Sequence, residues 1–289
     1  MLVLFTDTDT DLTPSDAEEY GYKLISMPYS IDGVTTYPYV DFDEFDAHAF
    51  YDLLRGGALP TTSAISEEQY IKYFEPVFAD GDDILYVHFS RAMTATFDAM
   101  DKAVDELKKR YPERKFYTVD TKGITTISLN IVKEIGDLYK AGKTAEEIIE
   151  WAKTEVDHFA QYFFADDLRF FKHSGRVSGL AGTMGTLLGI RPIIYMSDEG
   201  KMVSIGKEKG RQKAIDRLLA YVDELGDDIT GHRVIIGNTD APEIVEEVKA
   251  ALIEKYGDGL RIEIDDVNPT AGSHCGPDGV GICFHAIHR

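Results

Sequence analysis

Only two cysteines, Cys275 and Cys283, occur in 289 residues, and both lie in one C-terminal segment. They offer no disulfide framework, so a reducing cytoplasm is the expected setting. Positive charge is also scarce. Lys and Arg number 30 against 51 Asp and Glu, a formal net charge of −21. This excludes nucleic acid as an expected partner, because phosphate contacts need a basic face. An anionic ligand would need a local arrangement that overcomes the global field. No apolar run approaches the ~20 residues that span a bilayer. The opening MLVLFTDTDTDL lacks the basic region of a signal peptide and turns acidic by Asp7, so it reads as a first strand. Internal repeats and low-complexity linkers are missing.

What is present is an ordinary globular composition, 44% hydrophobic and 28% charged, in a chain long enough for one large domain or two ordinary ones. Strand-like Leu2–Thr6, Ile84–Phe89 and Phe116–Val119 alternate with helical patterns at Phe97–Tyr111, Ile124–Tyr139 and Thr144–Phe159. That order predicts an α/β fold with a mainly parallel sheet. Past Phe159 the texture changes. Strands are expected at Arg191–Met196, Met202–Ile205, Arg233–Ile236, Arg261–Ile264 and Ile282–Ile287, with helices at Arg211–Leu225 and Pro242–Tyr256. A boundary near residue 160 is expected, giving an N-terminal α/β domain over 1–160 and a C-terminal α/β domain over 161–289.

Three motifs suggest ligands and fail on spacing. Gly142-Lys143-Thr144 has the tail of a phosphate loop, but Asp137 stands where its first glycine belongs, and a helix precedes it. A helix end followed by a Thr cap explains it better. Asp7, Asp9 and Asp11 alternate as in a calcium loop, yet Leu12 occupies the position that needs Gly. Aspartates capping a strand-to-helix turn are the simpler reading. The run His173–Ile194 carries Gly175, Gly179, Gly182, Gly185 and Gly189, with no G-x-G pair for a dinucleotide. Its spacing of three or four is helical and leaves an apolar face of Leu180, Met184, Leu187 and Leu188. Glycine costs a helix up to ~1 kcal/mol each relative to alanine. Close approach of another surface, or a mobile lid, would explain so many.

Five separated stretches together resemble one family. Asp7-Thr8-Asp9-Thr10-Asp11-Leu12 is similar to the opening D-S-T-x-D-L of the DegV family, and Pro60-Thr61-Thr62-Ser63 to its P-x-T-S. Phe89–Phe97 is a degenerate I-S-S-x-L-S-G-T-Y. Gly175–Gly179 with Leu187–Ile193 resembles G-R-I-S-x followed by L-L-x-I-K-P-I, and Ser273–Pro277 resembles T-H-T-G-P. The resemblance spans nearly the whole chain.

The resemblance implies two α/β domains with an acyl tunnel between them. It implies a long-chain fatty acid as bound ligand, no cofactor, and an ATP-dependent fatty acid kinase as partner that phosphorylates the presented carboxylate. Thr62, Ser63, Ser90, Thr94, Arg176 and His274 are then the candidate carboxylate-binding residues, with Leu180, Met184, Leu187 and Leu188 lining the tunnel or its lid. No residue is expected to be catalytic and no metal is expected. Departures from the family pattern stand at Arg91, Ala95 and Asp278. A methyl at Ala95 threatens to obstruct a carboxylate, and Asp278 adds negative charge near the anion site. Two other functions stay open: a Ser/Thr–His acyl hydrolase or acyltransferase using Ser90 or Thr94 with His274, and a regulatory module with a vestigial pocket. The basic run Lys207, Lys209, Arg211 and Lys213 is either a solvated helix start or a docking patch for the kinase or for a transiently touched membrane.

Overall fold

The computed structural model describes residues 1–179 and 189–289. Its first half runs β1 (Leu2–Asp7), α1 (Pro14–Tyr20), β2 (Tyr22–Ile25), β3 (Tyr29–Ile31), β4 (Val34–Thr36), α2 (Ala47–Arg55), β5 (Thr61–Thr62), α3 (Glu67–Ala79), β6 (Asp83–His88), α4 (Thr96–Arg110), β7 (Phe116–Asp120), α5 (Thr126–Lys140) and α6 (Ala145–Glu155). The second half runs β8 (Phe159–Phe164), α7 (Leu168–Ser174), β9 (Val177–Ser178), β10 (Ile190–Met196), β11 (Met202–Lys209), α8 (Arg211–Leu225), β12 (Arg233–Asn238), α9 (Pro242–Tyr256), β13 (Arg261–Asp266), α10 (Pro269–Cys275) and β14 (Val280–His285).

The strands form a parallel sheet of order β2-β1-β6-β7, a mixed sheet of order β13-β12-β14-β8-β10-β11-β9, and a small antiparallel sheet β4-β3-β5. Helix α5 lies between the two large sheets. It contributes Ile127, Leu129, Ile131 and Val132 to a core that also contains Leu4 and Leu85 from one sheet and Ile194, Ile235 and Cys283 from the other. The outer faces are covered separately. Helices α3 and α4 pack on the parallel sheet through Phe74, Phe97 and Met100, and α8 and α9 pack on the mixed sheet through Leu218 and Val248.

Local signals hold at most element ends. Thr13 caps α1 by accepting from Asp16 N, with Pro14 in the first turn. Thr144 and Glu147 form a reciprocal capping box on α6, and Gly142 before it adopts φ +83°. The phosphate-loop tail is therefore a helix end and a helix start. Asp198-Glu199-Gly200 turns the β10–β11 hairpin. Two expectations are corrected. Gly175, Gly179 and Gly189 do not share a helix: they adopt φ of +65°, +81° and +80°, after α7, after β9 and before β10, where the chain turns. The helix expected to reach Phe159 ends at Glu155, and Phe159 opens β8, a central strand of the mixed sheet. Five of the six residues of β8 are buried. A strand covered on both faces reads as a continuous apolar run, and periodicity alone does not separate that from a buried helix. Leu180, Met184, Leu187 and Leu188 lie outside the described residues, as do Gly182 and Gly185.

The short helix α10 is fixed from several sides. Its N-cap Asn268 accepts from Ala271 N, and Asn268 in turn donates through N and Nδ2 to Asp11 Oδ1 at 2.9 and 2.6 Å. Thr270 Oγ1 donates to Met27 O. Tyr51, fully buried on α2, donates to Val267 O and lies so close that a Cβ on Gly272 would meet its hydroxyl at 2.4 Å. Gly272→Ala is therefore expected to destabilise the protein by about 1–3 kcal/mol through overpacking. Denaturant titration of the variant measures this, and an unchanged midpoint would show that the α2–α10 contact yields freely.

Candidate functional site

Where β1 and β6 end, the chain turns toward α10, and a cavity of about 580 Å³ opens. This lies within the usual range for small-molecule pockets. Its polar side carries Thr62 and Ser63 from β5 and the turn after it, Thr94 ahead of α4, Arg176 beside β9, and His274 on α10. Thr62 Oγ1 lies 3.0 Å from His274 Nε2. Exposed Ser63, Ala64, Ala95 and Arg176 mark where the cavity meets solvent. The first turn of the fifteen-residue α4 also faces it, through Thr94, Ala95 and Thr96. The N-cap Ala95 offers no side-chain acceptor, but Thr94 Oγ1 accepts from Thr96 N and Asp98 sits in the first turn, so the positive end of α4 is partly met from within the chain. The apolar side consists of Met27, Phe89, Ile124, Met202 and Cys275.

A second, inner cavity of about 40 Å³ continues the space. It shares Ile124, Met202 and Cys275 with the larger one and is otherwise lined by apolar Phe163, Phe164, Val267 and Val280 and by polar Thr125, Thr126, Gln161, Asn238 and Thr239. The two spaces thus adjoin across apolar Ile124, Met202 and Cys275, with polar groups on the far side of each.

The structure brings together five of the six residues chosen from sequence. Ser90 is the exception. It is 0% exposed, its hydroxyl donates to Gly200 O at 2.7 Å, and its Oγ accepts from Ala92 N. It stitches β6 to the β10–β11 hairpin and does not line the cavity. The three departures are also accounted for. Arg91 pairs with Asp101 and rests over Phe97 instead of entering the cavity. Ala95 lines the wall with an ordinary backbone φ of −93°. Asp278 does not line the cavity and is bridged by Arg55, which also holds Asp240 and Asp52. That same guanidinium occupies Asp240 in the exposed His48–Asp52–Asp240 group, which disfavours a cation there.

Electrostatics divide the polar wall into roles. Burial, and then the nearby charges of Arg176 and His173, push the His274 imidazole down to about 4. At neutral pH it is an uncharged hydrogen-bonding group, so the positive charge falls to Arg176. Asp166 and Asp167, the acids nearest Arg176 in sequence, are taken by Arg191 and Arg169. Among the described residues Arg176 has no carboxylate partner, and its guanidinium donates to Ser174 O. A hydroxyl, a neutral imidazole and a guanidinium around one opening suit a single anionic oxygen group.

The family model described as "Uncharacterised protein, DegV family" matches residues 1–286. The chain belongs to the DegV family. A DegV domain-containing protein of Clostridium perfringens is 29% identical over 282 residues, covering 98% of this chain and 96% of its own. Among solved structures, a DegV lipid binding protein from Thermotoga maritima superposes with a TM-score of 0.84 at 22% identity, covering 100% of this chain and 99% of that one. The fatty acid kinase (Fak) B3 protein of Streptococcus pneumoniae, loaded with linoleic acid, gives 0.83 at 16% identity, covering 99% of each chain. At such identities the likeness shows the fold.

In this DegV chain sequence reasoning missed the apolar walls Met27, Ile124 and Met202, which come from three distant segments and carry no local signal. It also took Asp9 for a turn cap, although Asp9 lines the cavity. The available signal was its place in the opening motif, where the family pattern has Thr. For His274, nuclear magnetic resonance of the imidazole is expected to give a midpoint near 4 in the ligand-free protein. Because the folded value lies below the ordinary one, His274 favours folding fully above pH ~6.5, and this contribution is lost as pH falls toward the folded value. Asp7, raised to about 7 by burial, acts in the opposite sense, so the residue-specific titration is the decisive measurement. A midpoint at the ordinary histidine value would mean that the ring is hydrated and not part of a closed wall.

Proposed function

We propose that this protein binds a long-chain fatty acid, with its carboxylate at Thr62, Ser63, Thr94, Arg176 and His274 and its tail directed past Ile124 and Met202. The observation that carries this is the two-sided lining of the larger cavity, which adjoins a second one. The larger one is polar on the side of Thr62, Arg176 and His274 and apolar on the side of Met27, Phe89, Ile124 and Met202, and it adjoins the smaller one across Ile124, Met202 and Cys275. Each methylene buried adds ~0.8 kcal/mol, so affinity should rise with chain length until the space is filled. The family relationship supports the reading, as do the ligand carried by the Streptococcus pneumoniae protein and its name. On the same grounds the protein presents the carboxylate to a separate ATP-dependent kinase in the cytoplasm and is not itself an enzyme. Among the described residues no helix is long and apolar enough to cross a membrane.

A hydrolase reading has weaker support. Ser90 is sealed against Gly200, Thr94 Oγ1 accepts from Thr96 N, and an imidazole held near 4 is a poor general base at neutral pH. A division of the chain near residue 160 belongs to the proposal. In its favour, every strand of the parallel sheet precedes residue 121 and every strand of the mixed sheet follows residue 158. Exposed Lys207, Lys209 and Lys213 remain the proposed docking patch, while Arg211 is engaged by Glu243 and Glu247.

Organic extracts of the purified protein are expected to contain fatty acid by mass spectrometry. Thr62→Val removes a hydroxyl while keeping its shape, and loss of a charge-assisted hydrogen bond costs roughly 1.5–3 kcal/mol. Free-acid affinity should fall by about 10- to 100-fold, and methyl-ester affinity by less. Equal affinity for butyrate and palmitate would rule out the acyl path. An unchanged free-acid affinity in the Thr62→Val, Thr94→Val double variant would show that the head group binds elsewhere.

A further inference from the structure

Asp9 has no assigned role in a site built for a carboxylate, and its position calls for one. It lines the cavity that holds Thr62, His274 and Arg176, yet it is only 5% exposed. Its Oδ1 is buried with no partner among the described residues. Its neighbours in the turn are occupied. Asp7 accepts from Tyr86 Oη, Phe89 N and Asp9 N. Asp11 accepts from Asn268 N and Nδ2. Asp11 Oδ2 and Asp265 Oδ2 are also orphaned when both groups are ionised. The two carboxyls meet side chain to side chain, and a proton held between them gives each a partner. Asp9 has no such recourse. It feels Asp7 and Asp11 only as charges, and their repulsion adds to burial in holding its carboxyl well above the ordinary value.

An ionised carboxylate on this wall would repel a bound carboxylate. A protonated one would donate to it through a short, strong O–H···O⁻ bond. We propose that Asp9 is a head-group residue that meets the ligand's carboxylate as a carboxylic acid, donating one hydrogen bond to it, so that fatty acid binding is linked to protonation of this one side chain. The proposal rests on the fatty acid reading above. It makes the site selective for an anionic oxygen acceptor, because a head group that only donates leaves the acid proton without a partner.

The other ionisable groups around Asp9 define how the linkage must be measured. From α10, His274 titrates near 4 and Cys275, pushed up by burial, near 12, so neither changes charge in between. Arg176 faces the same cavity from beside β9, and Asp98 from the first turn of α4. On α5, Lys133 is engaged with Asp16 and Glu263. Asp265 and Asp266 of β13 act on the turn through Asp11, and Asp120 of β7 acts through Asp7. Asp7 itself titrates near 7, inside the useful range, so a variant comparison is required to isolate Asp9.

The experiment is calorimetric titration of the full chain with laurate in buffers of different ionisation enthalpy, from about pH 6 to about pH 10, which counts protons taken up on binding. The wild type is expected to take up a growing fraction of a proton per laurate as pH rises. Its affinity should fall toward tenfold per pH unit where uptake approaches one. Asp9→Asn keeps a donor and cannot ionise, so it should lose that uptake and slope. Asp9→Thr, which restores the family pattern, should lose them as well and decides the matter if the Asn variant fails to fold. Equal proton uptake in the wild type and a folded variant, or none in the wild type across the range, overturns the role of Asp9 while leaving the fatty acid reading intact. Failure of laurate to bind the wild type at any pH overturns both.

Discussion

The bond pair from Asn268 to Asp11 joins the two halves of the site. Asp11 belongs to the turn after β1, and Asn268 caps α10, 257 positions away in sequence. The helix that Asn268 starts carries His274, and His274 meets Thr62 on the small sheet. Three separate layers thereby meet at one opening, with the Asp11 carboxylate tying the first of them to α10 beside the bonds of Thr270 and Tyr51. Its partners are a backbone N–H and a side-chain amide, so Asp11 retains an anchoring role even while it shares a proton with Asp265.

Burying so much acid in one turn has a thermodynamic character of its own. Asp7, Asp9, Asp11 and Asp265 are all held above the ordinary carboxylate range, chiefly by burial. Groups that bind protons more tightly when folded favour the native state at low pH and lose that contribution as pH rises through their folded values. In a chain with net charge −21 this places part of the negative charge where it is suppressed, close to a cavity suited to an anion. The global acidity seen in the composition therefore does not describe the local field at the opening.

Helices with caps and strong periodicity were legible before the fold was known. Helices α8 and α9 fall at their expected bounds, and α4 is displaced by one residue. Strand β8 was not legible, because aromatic residues buried on both faces leave no alternation to read. At the site, Thr62 and His274 were legible as motif residues, and their 3.0 Å contact follows from the packing of β5 on α10. Ser90 had the right chemistry and the right strand end, but the approach of Gly200 consumed its hydroxyl. The concern raised by Asp278 vanished for a similar reason. Arg55, 223 residues away, supplies a countercharge that no local pattern announces.

The same contacts constrain how the cavity admits anything. The parallel and mixed sheets are sewn together at the Asp11–Asn268 bonds and the Ser90–Gly200 bond, and Arg55 of α2 grips Asp240 and Asp278 beside the mixed sheet. Rotating one sheet away from the other like a clamshell would break several of these together, including buried ones. Among the described residues, side chains can give way at the opening more cheaply than the sheets can part. Met202, unbranched and shared by both cavities, is among the described residues the pliable side chain standing between them.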